Sequence, residues 1–129
     1  MTEFQNLPSR IQDAVQSQLT DDEYVRLCLL GRAGLLSPDF VIITSNRVLV
    51  LEERRMGGTL NASYANIRCN LPFPEMRGIK IDRHLKHRIL GQACLAIEID
   101  RNTYFIKNVS HREAKRAFQL ISAQLESQT

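Results

Sequence analysis

The stretch Phe40-Val-Ile-Ile-Thr-Ser-Asn-Arg-Val-Leu-Val-Leu-Glu-Glu53 is apolar at nearly every position on both sides of Ser45-Asn46. Successive side chains of a strand point to opposite faces of its sheet, so a run without polar alternation has to bury both. Ser45-Asn46 reads as a two-residue hairpin turn, because Asn tolerates positive φ. These features predict two central strands covered from two directions. The rest of the chain must supply both covers.

Two helices are available for that. In "LPSRIQDAVQSQL" (7–19), Leu7, Ile11, Val15 and Leu19 recur every four residues, which predicts an amphipathic helix with Pro8 in its first turn. At the other end, Ser110 and Glu113 have the Ser-x-x-Glu spacing of a capping box. Ala114, Ala117, Phe118, Ile121 and Leu125 then form one stripe of a helix over about 111–126. Such a stripe must cover something, and the open mouth of a β-structure is the natural candidate. The first helix either covers the sheet that the second leaves open or serves self-association.

Further strands are predicted over "EYVRLCLLG" (23–31), "TLNASYANI" (to about Ile67), "CLAIEID" (94–100) and "YFIKNV" (104–109). Gly31, Gly34 and "SPD" (37–39) separate the first strand from the second, "MGG" (56–58) is read as a turn, and Asp100–Thr103 as another. Pro72 and Pro74 make "NLPFPEM" (70–76) a loop or irregular edge. From Arg77 alternation returns: Ile79, Ile81 and Leu85 share one face, and Lys80, Asp82, His84 and Lys86 the other. The sum is a mainly β (α+β) chain of about seven antiparallel strands over about 23–109. Its 129 residues form one domain, large enough to bury a core without metal or disulfide.

Charge is uneven. From Arg68 to Arg88 the chain carries Arg68, Arg77, Lys80, Arg83, Lys86 and Arg88 against Glu75 and Asp82, which is +4 locally. With +3 in total, the remainder sums to −1. The candidate binding surface is therefore a basic strand face of Lys80, His84 and Lys86, with Arg77, Arg83 and Arg88 nearby. Such a face blunts an edge strand against edge-to-edge pairing, meets a protein partner, or meets an anionic membrane. In the membrane case Leu71, Phe73 and Met76 would add an apolar wedge. Nucleic acid ranks last, because no aromatic residues interleave for stacking.

Catalytic constellations are not found. On a strand His84 and His87 face opposite ways and share a metal only on a helical turn, and His111 has no ligand spacing to either. Asp21-Asp22-Glu23 and Glu52-Glu53 read as solvated charges at element ends. The expectation is no enzyme, no metal and no cofactor. Cys28, Cys69 and Cys94 are odd in number, far apart and without a C-x-x-C pair, so reduced thiols are expected, at least two of them packing as small hydrophobes. No apolar run approaches the ~18–20 residues of a membrane span. The N-terminus lacks the basic and apolar regions of a signal peptide, so a cytosolic location is expected, at most peripheral to a membrane.

Helix, about seven short antiparallel strands and a closing helix is the order of a pleckstrin-homology-like domain. "Glu23-Tyr-Val" resembles the E-x-V that opens the first strand of bacterial PH-like domains, particularly the YokE-like group. "Phe40-Val-Ile-Ile-Thr-Ser-Asn-Arg-Val-Leu-Val-Leu51" is similar to their apolar hairpin with Thr-x-x-Arg at the turn, and "Ser63-Tyr-Ala-Asn-Ile67" looks like their entry to the fifth strand. The resemblance spans roughly Leu7 to Leu125. It implies a PH-like barrel capped by the C-terminal helix, with an extra N-terminal helix, acting in binding or assembly rather than catalysis. Oligomer formation is familiar in that group. Thr44 and Arg47, the family-like pair, are read as structural, with Arg47 along the outer strand face. Lipid-reading PH domains place several Lys or Arg around the first hairpin, whereas "LGRAGLLSPD" offers only Arg32, with Arg26 nearby. The function expected is protein–protein interaction or self-association through the basic strand face, with attachment to anionic headgroups as the alternative.

Overall fold

A computed structural model describes residues 3–31, 38–55 and 63–128. After a 3-10 turn at Phe4–Asn6, the order is α1 (Ser9–Gln18), β1 (Val25–Gly31), β2 (Asp39–Thr44), β3 (Arg47–Arg55), β4 (Ser63–Pro72), β5 (Met76–Asp82), α2 (Leu85–Leu90), β6 (Gln92–Ile99), β7 (Asn102–Ser110) and α3 (His111–Ser127). The strands form two antiparallel sheets, β1-β2-β3-β4 and β5-β6-β7. The expectation of a mainly β chain with a C-terminal helix holds in that form. Among the described residues no strand pairing joins the two sheets into a closed barrel. The turn expected at 56–58, and Arg32 and Gly34 in the first loop, lie outside the described residues.

The double-faced hairpin is covered as its composition demands. On one face, Val41, Ile43, Val48 and Val50 pack against Leu95, Ile97 and Ile106 of the second sheet. Ala114, Ala117 and Ile121 of α3 enter this same core, with Phe118 and Leu125 half-buried against it. On the other face, Phe40, Ile42, Leu49 and Leu51 meet Ile11 and Val15 of α1. Gly31 faces β7 of the second sheet closely: a Cβ there would stand 3.1 Å from Ile106 Cγ2. A side chain at position 31 would require Ile106 to give way by a few tenths of an ångström.

Three local expectations are corrected. β4 does not end near Ile67 but continues to Pro72, because Val48 and Leu49 extend the β3 edge against Leu71 and Asn70. Leu71, Phe73 and Met76 are then buried around a 3-10 turn at Phe73–Glu75, so they cannot form an exposed apolar wedge. The Ser110–Glu113 capping box is absent, since Ser110 makes no side-chain cap bond. Ser110 is still paired to Gln92 in the sheet, and the His111 N–H bonds Gly91 O at 2.9 Å instead.

The carboxylates at element ends are not simply solvated. Glu23 is buried, and Arg47 turns back from its strand to reach it with Nε and Nη2, each at 3.0 Å. The buried Thr44 hydroxyl donates to Glu23 Oε2 and accepts the Arg47 N–H at 3.0 Å, while the Thr20 N–H reaches Oε1 at 3.2 Å. One carboxylate thus ties the end of the α1 connection to the β2–β3 turn. Glu52 is likewise buried, held by Arg54 Nε at 2.7 Å and Asn66 Nδ2 at 3.2 Å.

Burial alone would raise the Glu23 pKa, but the bonds from Thr44, Thr20 and Arg47 outweigh it and hold the carboxyl below its usual 4.5. A carboxyl depressed on folding stabilises the fold above its unfolded pKa and loses that contribution as pH falls through the folded value. Glu23→Gln leaves the Arg47 charge without its partner and should cost about 3 kcal/mol at neutral pH. In urea unfolding, the gap between wild type and Glu23→Gln should shrink as pH drops below about 4.5. A gap independent of pH would mean that the pair carries no linked proton.

Candidate functional site

β5 ends at Asp82, and the chain turns through Arg83 into His84, whose extended backbone (φ −86°, ψ 172°) caps α2. His87 Nδ1 accepts the His84 backbone N–H at 3.1 Å, the returning half of a capping box. With Nδ1 occupied as an acceptor, the ring proton belongs on Nε2, which lies 3.3 Å from Asn108 Oδ1 on β7. Gly91 closes the helix in the left-handed conformation (φ 68°), which a residue without Cβ adopts freely. Arg83 fastens the base, donating from Nε to Gln92 O at 3.0 Å and from Nη2 to His87 O at 3.5 Å.

Clamped in this way, α2 buries only His87. Leu85 and Ile89 are each 75% exposed and Leu90 66%. At 100° per residue Leu85 and Ile89 fall about 40° apart on the outward face, flanked by Lys86 on one side and Arg88 on the other, with His87 directly behind. Lys86 and Arg88 form no ion pair among the described residues. Beside α2 an open cleft of about 370 Å³ is lined by Asp82, His84, Lys86, Asn108, Lys107 and the half-exposed Phe105. Positive charge gathers at this end of the molecule. Burial first, and then the Arg83 and Lys115 charges, hold His111 below its usual 6.5.

The strand face expected of Lys80, His84 and Lys86, with Arg77, Arg83 and Arg88 nearby, does not form as one face, because the segment is half strand and half helix. Arg77 lies at the start of β5 beside the Phe73–Glu75 turn, where Nη1 reaches Pro74 O at 3.4 Å. That is about 20 Å along the strand from α2. Lys80 pairs with Glu98 at 3.0 Å on the neighbouring strand. Arg83 is half-buried and serves the α2 base, and His84 is its cap. At α2 itself, Lys86 and Arg88 stand outward with no ion pair among the described residues. Leu85, expected on the core face with Ile79 and Ile81, is on the outside instead, since the helical turn rotates it away from the strand's inward row.

His84 and His87 share a helical turn rather than opposite strand faces, with ring centroids 5.5 Å apart. Both His87 nitrogens are engaged, and among the described residues no three His, Cys, Asp or Glu side chains gather as metal ligands would. Burial pushes the Cys28 and Cys69 thiols up to about 11 and raises Cys94, so none is a ready thiolate at neutral pH. All three are free cysteines, Cys28 and Cys94 buried.

The exposed aliphatics were missed because alternation was extended through them as strand. Two signals pointed the other way: Leu85 and Ile89 are spaced i, i+4, and Gly91 follows directly as a helix stop. No protein-family model matches the chain, and no curated protein or solved structure matches it either. Among the described residues no helix is long and apolar enough to cross a membrane.

If the Gly91 conformation and the cap hold α2, Gly91→Ala should cost about 1 kcal/mol through the left-handed backbone alone, because a Cβ there meets nothing within 4 Å. Hydrogen exchange should accelerate across residues 85–90 and leave the β2–β3 amides unchanged. Uniform acceleration would show that α2 has no local stability of its own.

Proposed function

We propose that this chain is a non-catalytic docking module of the PH-like kind, which buries the α2 end against an anionic macromolecular surface. The observation that carries the reading is the α2 tip. Leu85 and Ile89, each three-quarters exposed, lie between Lys86 and Arg88, which have no ion-pair partner among the described residues, and exposed Leu90 lies beyond Lys86. Water solvates such cations at no cost, but the aliphatic surface gains by leaving it. The order of a first helix, seven antiparallel strands and a closing helix supports the PH-like assignment. The docking face moves from the strand, where Lys80 is already paired, to the helix that follows it.

A non-catalytic role is supported by how the reactive groups are used. Glu23 and Glu52 are committed to arginines, His87 to a cap and to Asn108, and the thiols are held protonated by burial.

A photo-reactive phenylalanine analogue at Ile89 should yield adducts in cells that make the protein. The same group at Tyr24, exposed at the opposite end of the sheets beside Ser45, should not. Equal yields at the two positions, or none at Ile89, would remove α2 as the docking face.

A further inference from the structure

Building on the reading of α2 as a docking face, we infer that the surface it meets is a lipid bilayer bearing anionic headgroups, into whose interface Leu85, Ile89 and Leu90 insert. Three features of the molecule select this occupant. The first is shape. The apolar residues stand two-thirds to three-quarters exposed on a six-residue helix just before β6, and none of them lines the neighbouring cleft. A bilayer interface accepts such a wedge without shape complementarity.

The second is size. A stable protein–protein interface takes about 20–30 residues from each side. The tip and its rim supply far fewer: Leu85, Lys86, Arg88, Ile89 and Leu90, with Phe105 across the cleft. A bilayer makes no such demand, because shallow insertion and charge attraction act together.

The third is the arrangement of charge. Lys86 and Arg88 flank the Leu85–Ile89 stripe on its two sides. When the stripe points into the acyl boundary, both long side chains can bend back to the phosphate level. From 82 to 91 the chain carries Arg83, Lys86 and Arg88 against the single carboxylate Asp82, so the balance there is +2 toward an anionic surface. The same arrangement disfavours a second copy of the chain. A two-fold contact through α2 would set these cations against themselves.

The chain has no tryptophan, so Leu85→Trp installs a single reporter at the tip and Tyr24→Trp a control at the far end. Both positions are exposed, so neither change should disturb the fold. Full-length protein is titrated with vesicles of phosphatidylcholine alone and of phosphatidylcholine mixed with phosphatidylglycerol. Leu85→Trp emission should shift to the blue with the mixed vesicles only, and Tyr24→Trp emission should not move. Adding Lys86→Gln and Arg88→Gln to the reporter should lower the partition coefficient about thirtyfold, and Ile89→Ser with Leu90→Ser should abolish the shift. No shift with either vesicle, or an equal shift with phosphatidylcholine alone, overturns the inference. If Ile89 then cross-links to a protein, the partner is that protein and the docking reading stands without the bilayer. If it cross-links to nothing, both fall together.

Discussion

Burial of both faces of the β2–β3 hairpin is the constraint from which the rest of the arrangement follows. Phe40, Ile42, Leu49 and Leu51 cannot face water while Val41, Ile43, Val48 and Val50 face the second sheet, so a single sandwich would leave half of the hairpin uncovered. α1 supplies the missing cover with Ile11 and Val15. The N-terminal helix is therefore part of the core and not an appendage, and its apolar stripe is already spent. That argues against self-association through α1, where the same side chains would have to serve twice.

Polar groups then fasten the margins of this core. Glu23 gathers Arg47, Thr44 and the Thr20 N–H at one end of the hairpin. Toward the other end, the Arg68 guanidinium meets both oxygens of Asp39, at 2.9 and 3.1 Å, across the width of the sheet. A buried carboxylate is costly unless paired and hydrogen-bonded. These two are satisfied so fully that they are better understood as register pins than as reactive groups. Thr44 and Arg47 were the most specific part of the family-like pattern, and their role explains why a turn should keep those residue types together. The hydroxyl and the guanidinium complete one carboxylate's shell.

Much of this was legible in order and little of it in partnership. The hairpin, both long helices and their buried stripes follow from periodicity, because core faces repeat at 2 or 3.6 residues whatever covers them. The chain does turn at Ser45-Asn46, but without the positive φ expected of Asn46. Periodicity cannot show that Glu23 finds an arginine 24 positions along, so both Glu23 and Glu52 looked like solvated ends. It failed differently at residues 83–90. Alternating basic and aliphatic letters fit a strand and a short helix about equally well, and what decides is tertiary: the β7 side chain Asn108 and the Gln92 carbonyl, which no local pattern reveals. The strand reading placed Leu85 inside and Lys80, His84 and Lys86 together on the outer face. The helix puts Leu85 outside, with Lys86 and Arg88 to either side of it.

That helix is the place where the molecule departs from its own logic. Six residues are too few to be helical alone in water, so the cap, Arg83, the Asn108 contact and the Gly91 turn must together impose the form. Four constraints are thus spent on presenting three aliphatic side chains to solvent. A polar turn between β5 and β6 would connect the same strands with no apolar exposure, and the buried core gains almost nothing from α2 beyond His87. Exposed apolar surface held in place by specific polar contacts is what the proposed docking role of α2 accounts for. The Lys86 and Arg88 charges on either side of Leu85 and Ile89 are why that role favours a partner apolar within and negative at its surface.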